Sequence, residues 1–451
     1  MLRICAAFVL GLLCFAPAGA AEPGRLNIVL LCTDDQRWDT LGCTGNKIIQ
    51  TPHIDALARE GLVFDNSFVT TSICSISRAS LFTGQYARRH GIVDFAEPLT
   101  DEQLANSYPG KLKAAGYRMG FVGKWGVGNK SPRELYDLWG GFGGQGRYFE
   151  PGDDEHINRK MSRQAVEFLA GCSDDQPFCL QVSFKAAHAQ DGEKWEFPTE
   201  QSLRELYKDV HIPPPATATE QHHAALPPML RDSEGHRRWK PRFSTPELYQ
   251  STVKDYYRLI TGVDRVVGEV IQTLRDKELF DNTLVIFTGD NGYYLGDFGL
   301  ADKWFMHEPS IRLPLVIYDP RLPAEKRNRH ITDWALNIDI APTILGAAQI
   351  TPPATMQGLD LLAASNAQKL ADRREFYYEH PFKHPGIPFT EGVRGERFKY
   401  ARYEQKDVVV EQLFDLVADP LEEHDLAAQP EQRETLNKLR ARLADWRKEV
   451  E

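Results

Sequence analysis

Residues 25–33 read RLNIVLLCT, an apolar, β-branched run without polar alternation, and they end on two adjacent carboxylates, Asp34 and Asp35. A strand with one face in water alternates, whereas one covered on both faces does not. The run therefore predicts a parallel strand buried on both sides, with acid at its C-terminal end. Runs of the same kind lie at 117–122, 178–184, 283–288 and 313–318. Helical patterns separate them, at 156–170 and most clearly at 256–274, where Leu259, Val263, Val266, Val270 and Leu274 are spaced by three and four. Strands alternating with helices predict an α/β fold, a large mixed and mostly parallel sheet covered by helices on both faces. Ligands of such sheets bind beyond the carboxyl ends of the strands. Asp34, Asp35, Asp290 and Asn291 fall there.

A chain of 451 residues has room for one large α/β unit and a smaller one. Residues 1–20 read as a secretory signal, with Arg3, an apolar run at 4–15, and Ala18-Gly19-Ala20 as a small-residue cleavage site. That run is too short to span a bilayer, so the expected mature protein is periplasmic or secreted, cut near Ala20, with no membrane partner. The catalytic α/β domain is expected over 21–348. Within it, 190–250 is rich in charge and proline and reads as a surface excursion suited to substrate recognition. Arg231, Arg237, Arg238, Lys240 and Arg242 make a basic run there, readable as a solvated face or as a seat for an anionic substrate. Thr351-Pro352-Pro353 marks a boundary, and 349–451 is expected as a C-terminal subdomain. Short runs at 375–379, 397–403 and 407–414 predict an antiparallel sheet, and Leu436, Leu439, Leu443 and Trp446 predict a last helix.

The formal net charge of −10 argues against sequence-independent nucleic-acid binding, which needs a positive field. It leaves open an anionic small substrate, because a few local cations can dominate one pocket. Cys5 and Cys14 lie in the leader, leaving Cys32, Cys43, Cys74, Cys172 and Cys179, which form no disulfide scaffold. Cys172 and Cys179 fit either a short-loop pair or two buried thiols.

Carboxylates and an amide oxygen are hard ligands, suited to Ca²⁺ or Mg²⁺. An Asp-Asp pair alone is also what a helix cap or a solvated turn presents. Two acidic clusters, each following a buried strand, favour metal. No Cys/His spacing suggests zinc.

The third cluster is residues 74–84, CSISRASLFTG. It resembles the signature of the type I sulfatases, formylglycine-dependent members of the alkaline phosphatase superfamily. That signature has Cys or Ser, Pro or Ala two positions on, Arg four positions on, and a trailing Leu-x-Thr-Gly. Further stretches resemble the family in order: Thr51-Pro52-His53-Ile54-Asp55, Gly123-Lys124-Trp125, Phe184-Lys185-Ala186-Ala187-His188, 303–312, Gly392-Val393-Arg394 and Leu413-Phe414-Asp415-Leu416.

The resemblance implies that Cys74 is oxidised after translation to formylglycine by a formylglycine-generating enzyme. The hydrated aldehyde would be the nucleophile, one hydroxyl attacking sulfur and the other expelling sulfate. Arg78 would stabilise the modified side chain. Asp34, Asp35, Asp290, Asn291 and residue 74 would hold one Ca²⁺ per chain, in preference to Mg²⁺. Lys124, His188 and Lys303 would donate to sulfate or leaving-group oxygens, His188 as the proton donor. The implied activity is hydrolysis of a sulfuric ester with release of sulfate, and the secreted location favours a sulfated carbohydrate.

Three positions depart from the pattern. Ile76 stands where Pro or Ala is usual, Gly126 where the family has a His that contacts the formylglycine hydroxyl, and Phe298 where a His is frequent. His307 is a candidate substitute base. Two other readings remain open: a phosphate or phosphonate ester hydrolase of the same superfamily, and a non-catalytic sulfated-glycan binder with Cys74 unconverted.

Overall fold

The computed structural model describes residues 24–363 and 367–451. The leader expected at 1–20 lies outside the described residues. Ten strands precede residue 340: β1 (Asn27–Thr33), β2 (Leu62–Phe68), β3 (Arg118–Lys124), β4 (Leu138–Phe142), β5 (Phe178–Ser183), β6 (Thr283–Gly289), β7 (Tyr294–Leu295), β8 (Ala301–Asp302), β9 (Leu315–Tyr318) and β10 (Arg329–Leu336). Eight of them form one sheet in the order β10-β2-β9-β6-β1-β5-β3-β4, while β7 and β8 make a separate two-stranded ribbon.

β1 is central, parallel to β5 on one side and to β6 on the other. Its side chains divide between two cores. Val29 and Leu31 join the cluster that includes the long helix Pro246–Asp276. Ile28, Leu30 and Cys32 join the one that includes the helix Ile340–Ala347. Burial on both faces is why the run does not alternate. β9 is the antiparallel member, against β2 and β6 alike.

The C-terminal part forms an antiparallel sheet, β11 (Glu375–His380), β12 (Phe389–Gly395), β13 (Phe398–Gln405) and β14 (Val408–Asp415), followed by the helix Arg433–Glu449. A third apolar cluster joins it to the large sheet, with Phe376, Tyr378, Tyr400 and Tyr403 packed with Trp304, Phe305, Met306 and Ile311. Gly392 sits at this seam. A Cβ there would lie 2.2 Å from Met306 Sδ and 2.4 Å from the Tyr400 carbonyl oxygen. Gly392→Ala is expected to cost about 1–3 kcal/mol of overpacking. A lowered thermal midpoint checks this, and an unchanged one contradicts it.

The stretch 190–250 is more ordered than its composition suggests. It carries the helix Glu234–Phe243, and the basic run apart from Arg231 lies on that helix. Arg242 is buried and donates to Asp191 (2.6 Å), Glu196 (2.6 Å) and Asp302 (2.9 Å). Arg237 and Arg238 pair with Glu234 one turn back. Arg238 and Arg242, which both reach Asp302, thus staple the excursion to the sheet domain, while the other pairs close the excursion on itself. Cys172 and Cys179 are free buried thiols, the second of the two arrangements open from sequence.

His90, His307 and His380 are three of the five histidines buried among the described residues. Burial pushes each down to about 3. The unfolded chain binds these protons near pH 6.5 and the folded chain does not, so stability is lost as pH falls below about 6.5, by about 1.4 kcal/mol per pH unit for each histidine. Asp35 and Asp264, which burial raises to about 7, oppose this over the same interval, but the buried histidines outnumber them, so the thermal midpoint is expected to fall between about pH 6.5 and 5. A flat profile contradicts this.

Candidate active site

Strand register assembles the first part of the site. Thr33 of β1 stands opposite Gly289 of β6, so Asp34 and Asp290 leave neighbouring strands at the same level. The Asp35 backbone N–H donates to Asp290 Oδ1 at 3.2 Å. Asn291 Nδ2 donates to Asp35 Oδ1 at 2.7 Å. All four side chains are fully buried. Three carboxylates in one dry pocket repel one another, and the surrounding cations offset this only in part. Lys124 Nζ donates to Asp34 Oδ2 at 2.5 Å. Lys303 Nζ donates to both oxygens of Asp35, at 2.5 and 2.7 Å. Arg78 Nε donates to Asp290 Oδ2 at 2.8 Å.

Burial opposes ionisation of Asp34, but Lys124 and Arg78 outweigh it and hold that carboxyl below its usual range. Asp35 goes the other way. Burial, against the pull of Lys303, pushes it up to about 7. Asp290 is also raised, by burial and by Asp34. Two buried acceptors here, Asp34 Oδ1 and Asn291 Oδ1, have no hydrogen-bond partner among the described residues. Orphaned hard oxygens beside carboxylates are what a cation-binding site presents. Asp34, Asp35 and His188 also bring one ligand atom each to within 4.8 Å of one another.

The helix α1 (Cys74–Thr83) brings in the second part, and every residue of it is buried. Ser77 Oγ donates to the Asp290 carbonyl at 2.5 Å, fixing the helix against the end of β6. One turn after Cys74, Arg78 reaches Asp290, the Lys124 carbonyl (2.7 Å) and Ser183 Oγ. Cys74, 1 % exposed, lies in the electrostatic reach of Lys124, Asp34, Lys303 and Asp290. Burial raises its thiol against the pull of Lys124.

Gly126 shows why a side chain is missing there. Its φ is +78°, and a Cβ would lie 2.7 Å from Arg78 Cδ. Gln145 approaches Lys124 and Cys74 from the loop after β4. It accepts from Lys124 Nζ at 2.6 Å and directs Nε2 at Cys74 Sγ, 3.9 Å away. Sequence reading missed Gln145, which lies in a glycine-rich loop after β4 with no motif around it.

His188 follows β5 on a loop clipped to Asp34 by two backbone hydrogen bonds: Asp34 N to the Ala186 carbonyl (2.9 Å) and Ala187 N to the Asp34 carbonyl (2.6 Å). Its Nδ1 is 2.5 Å from the Ala189 carbonyl oxygen, which assigns the proton to Nδ1. Its Nε2 is 3.6 Å from Asp35 Oδ2. Burial first, then Lys303, Lys124 and Lys185, hold the ring far below the usual histidine range. The site residues expected from sequence, Asp34, Asp35, Cys74, Arg78, Lys124, His188, Asp290, Asn291 and Lys303, therefore share one buried cluster.

His307 does not join them as a base. Its Nδ1 is 2.7 Å from Tyr294 Oη, its ring stacks on Phe298 with centroids 4.8 Å apart, and Phe414 packs beside it. It belongs to the seam between the two sheets. Phe298 is its stacking partner. Ile76 packs in the same apolar cluster as Phe68 and Tyr378.

Comparison with known proteins follows this geometry. The sulfatase family pattern matches residues 26–350, and the pattern described as N-sulphoglucosamine sulphohydrolase, C-terminal, matches residues 296–449. The N-acetylglucosamine-6-O-sulfatase of Bacteroides thetaiotaomicron is 26% identical, across 95% of this chain and 87% of that protein. The ulvan-active sulfatase of Formosa agariphila is 28% identical, across 94% and 81%. Among solved structures, one in complex with its substrate D-glucosamine-2-N,6-O-disulfate superposes with a TM-score of 0.79 at 24% identity, over 94% of this chain and 98% of the other. The phosphonate monoester hydrolase of Agrobacterium radiobacter gives 0.75 at 21%, over 95% and 96%.

Proposed function

The chain belongs to the sulfatase family, and from that premise we propose that it hydrolyses a sulfate ester of a carbohydrate, using a formylglycine derived from Cys74 and one bound Ca²⁺. The single observation that carries this reading is that the Cys74 sulfur shares one buried cluster with Lys124, Asp34, Lys303 and Asp290. A thiol alone in an apolar core would need no such company.

Asp34, Asp35, Asp290, Asn291 and residue 74 would hold the cation, for which the orphaned oxygens of Asp34 and Asn291 are suited. When bound, it would supply Lewis acidity at a sulfate oxygen, and the converted Cys74 would supply a hydrated aldehyde. The remaining work belongs to the chain's own side chains. Arg78 keeps the start of α1 against Asp290 and so orients residue 74. Gln145 fixes Lys124 with respect to that residue. Lys124 and Lys303, aimed at the acidic pair in the free protein, would share their protons with sulfate oxygens as charge grows there. Burial and then the lysines hold His188 neutral, and a bound anion between these lysines would offset the second cause, so its imidazole gains basicity where the leaving oxygen needs a proton.

The relatives acting on N-acetylglucosamine-6-O-sulfate and on ulvan, as their names state, support a carbohydrate substrate. The same reading takes 1–20 as a cleaved signal, a periplasmic or secreted location, maturation by a formylglycine-generating enzyme, and 349–451 as a subdomain bracing the catalytic unit 21–348. The test is sulfate release from a panel of sulfated glycans, with aryl sulfate and aryl phosphate assayed side by side, using protein whose Cys74 conversion is verified by mass spectrometry. Release from at least one glycan supports the reading. A large preference for aryl phosphate, or a Cys74 that remains an alkylatable thiol in protein from its native host, overturns it.

A further inference from the structure

The four cations of the site are not equivalent. Arg78 is matched to Asp290, Lys124 to Asp34 and Lys303 to Asp35. Lys185, on the loop that leaves β5 for His188, is fully buried, and its Nζ finds no hydrogen-bond partner among the described residues. No carboxylate forms an ion pair with it there. It lies over the face of Tyr148, with Nζ 5.0 Å from the ring centroid. The Tyr148 hydroxyl is spent on the His188 carbonyl at 2.7 Å. Lys124, Asp34, Asp191 and Asp35 lie within its electrostatic reach.

An unpaired ammonium in a dry interior is expensive, and folded proteins match such charges or hold them for a ligand. A cation–π contact offsets only part of that cost. Burial, with Lys124 second, lowers this lysine to about 8, as expected for a cation lacking its counter-ion. The missing partner is an anion, and the anion that comes to this cluster is the substrate's sulfate. Lys124 and Lys303 already have carboxylate partners in the free protein. Lys185 alone has every N–H free.

We propose that Lys185 is a further anion-binding residue of the active site, its ammonium donating to an oxygen of the substrate's tetrahedral sulfate group beside Lys124. This rests on the sulfatase reading for the source of the anion, but not for the chemistry of the pocket, which inorganic sulfate can probe alone.

The experiment is calorimetric titration of inorganic sulfate into the calcium-supplemented full chain, at ionic strength held constant with chloride. Wild type is compared with Lys185→Met, Lys185→Gln and Lys185→Arg. The neutral variants are expected to bind sulfate about tenfold or more weakly, the loss of one charge-assisted hydrogen bond, while arginine stays within about threefold. Without sulfate, the methionine variant should melt at or above the wild-type temperature, since a lone buried charge has been removed. A structural lysine would do the reverse, with a lower midpoint and unchanged sulfate affinity. That pattern, failure of both neutral variants to fold, or absence of saturable sulfate binding by wild type overturns the inference. Lys185-dependent sulfate binding with no sulfate release from any glycan would sink the proposed activity and leave this inference standing. Sulfate release with a Lys185→Met variant of wild-type KM and sulfate affinity would do the opposite.

Discussion

Cys74→Ala is expected to abolish sulfate release, by at least about 10⁴-fold in kcat/KM, while leaving the fold in place. The side chain removed is small and buried at the first turn of α1, so the cavity left behind costs on the order of 1 kcal/mol. What anchors that turn lies elsewhere, in the Ser77 bond to the Asp290 carbonyl and the Arg78 contacts with Asp290, Lys124 and Ser183. Thermal midpoint and substrate-free sulfate binding should both stay near wild type. Activity surviving the substitution would show that the nucleophile is another group. Loss of the fold with the activity would show that Cys74 is needed for packing and would leave its chemical role without support.

Asp290→Asn is expected to separate metal binding from folding. In the metal-free protein, burial and Asp34 raise the Asp290 carboxyl, so its charge is a liability that the neutral amide removes. The metal-free midpoint should hold or rise, provided the amide keeps the contact with Arg78. With calcium the order inverts. At a concentration about 100 times its Kd, wild type gains about 2.7 kcal/mol from the bound ion. A variant whose affinity has fallen about 100-fold gains only about 0.4 kcal/mol at that concentration. The calcium-induced rise in midpoint should therefore nearly vanish, together with sulfate release. A full calcium-induced rise in the variant would remove Asp290 from the ligand set.

The residues that expose the fold in the sequence are those buried on both faces. β1, β5 and β6 have no solvent side, so their sequences are mostly apolar and do not alternate, with buried exceptions such as Gln181. Edge strands carry a weaker signal. β4 reads LWGGF and is half-buried, and β10 begins with exposed Arg329 and His330. Neither is marked by an apolar run. Strand direction is equally silent, because LVIY in β9 would be buried whichever way it ran. The metal-side carboxylates were legible because they sit where buried strands end. Gln145 and the solitary charge of Lys185 were not, since what matters about each is who stands next to it in space. The basic run near Arg242 was legible as charge but not as a staple, because Asp191, Glu196 and Asp302 lie far from it along the chain.

The central place of β1 has a consequence for biogenesis. One flank of this strand is covered by β5, but the other must wait for β6, some 250 residues later in synthesis. Until then the emerging chain carries a hydrophobic ribbon with an open row of amide and carbonyl groups, the kind of edge that recruits stray strands. Translation pausing before codon 283, or fragments ending short of it, should yield aggregates, and a holdase would be most useful over that interval.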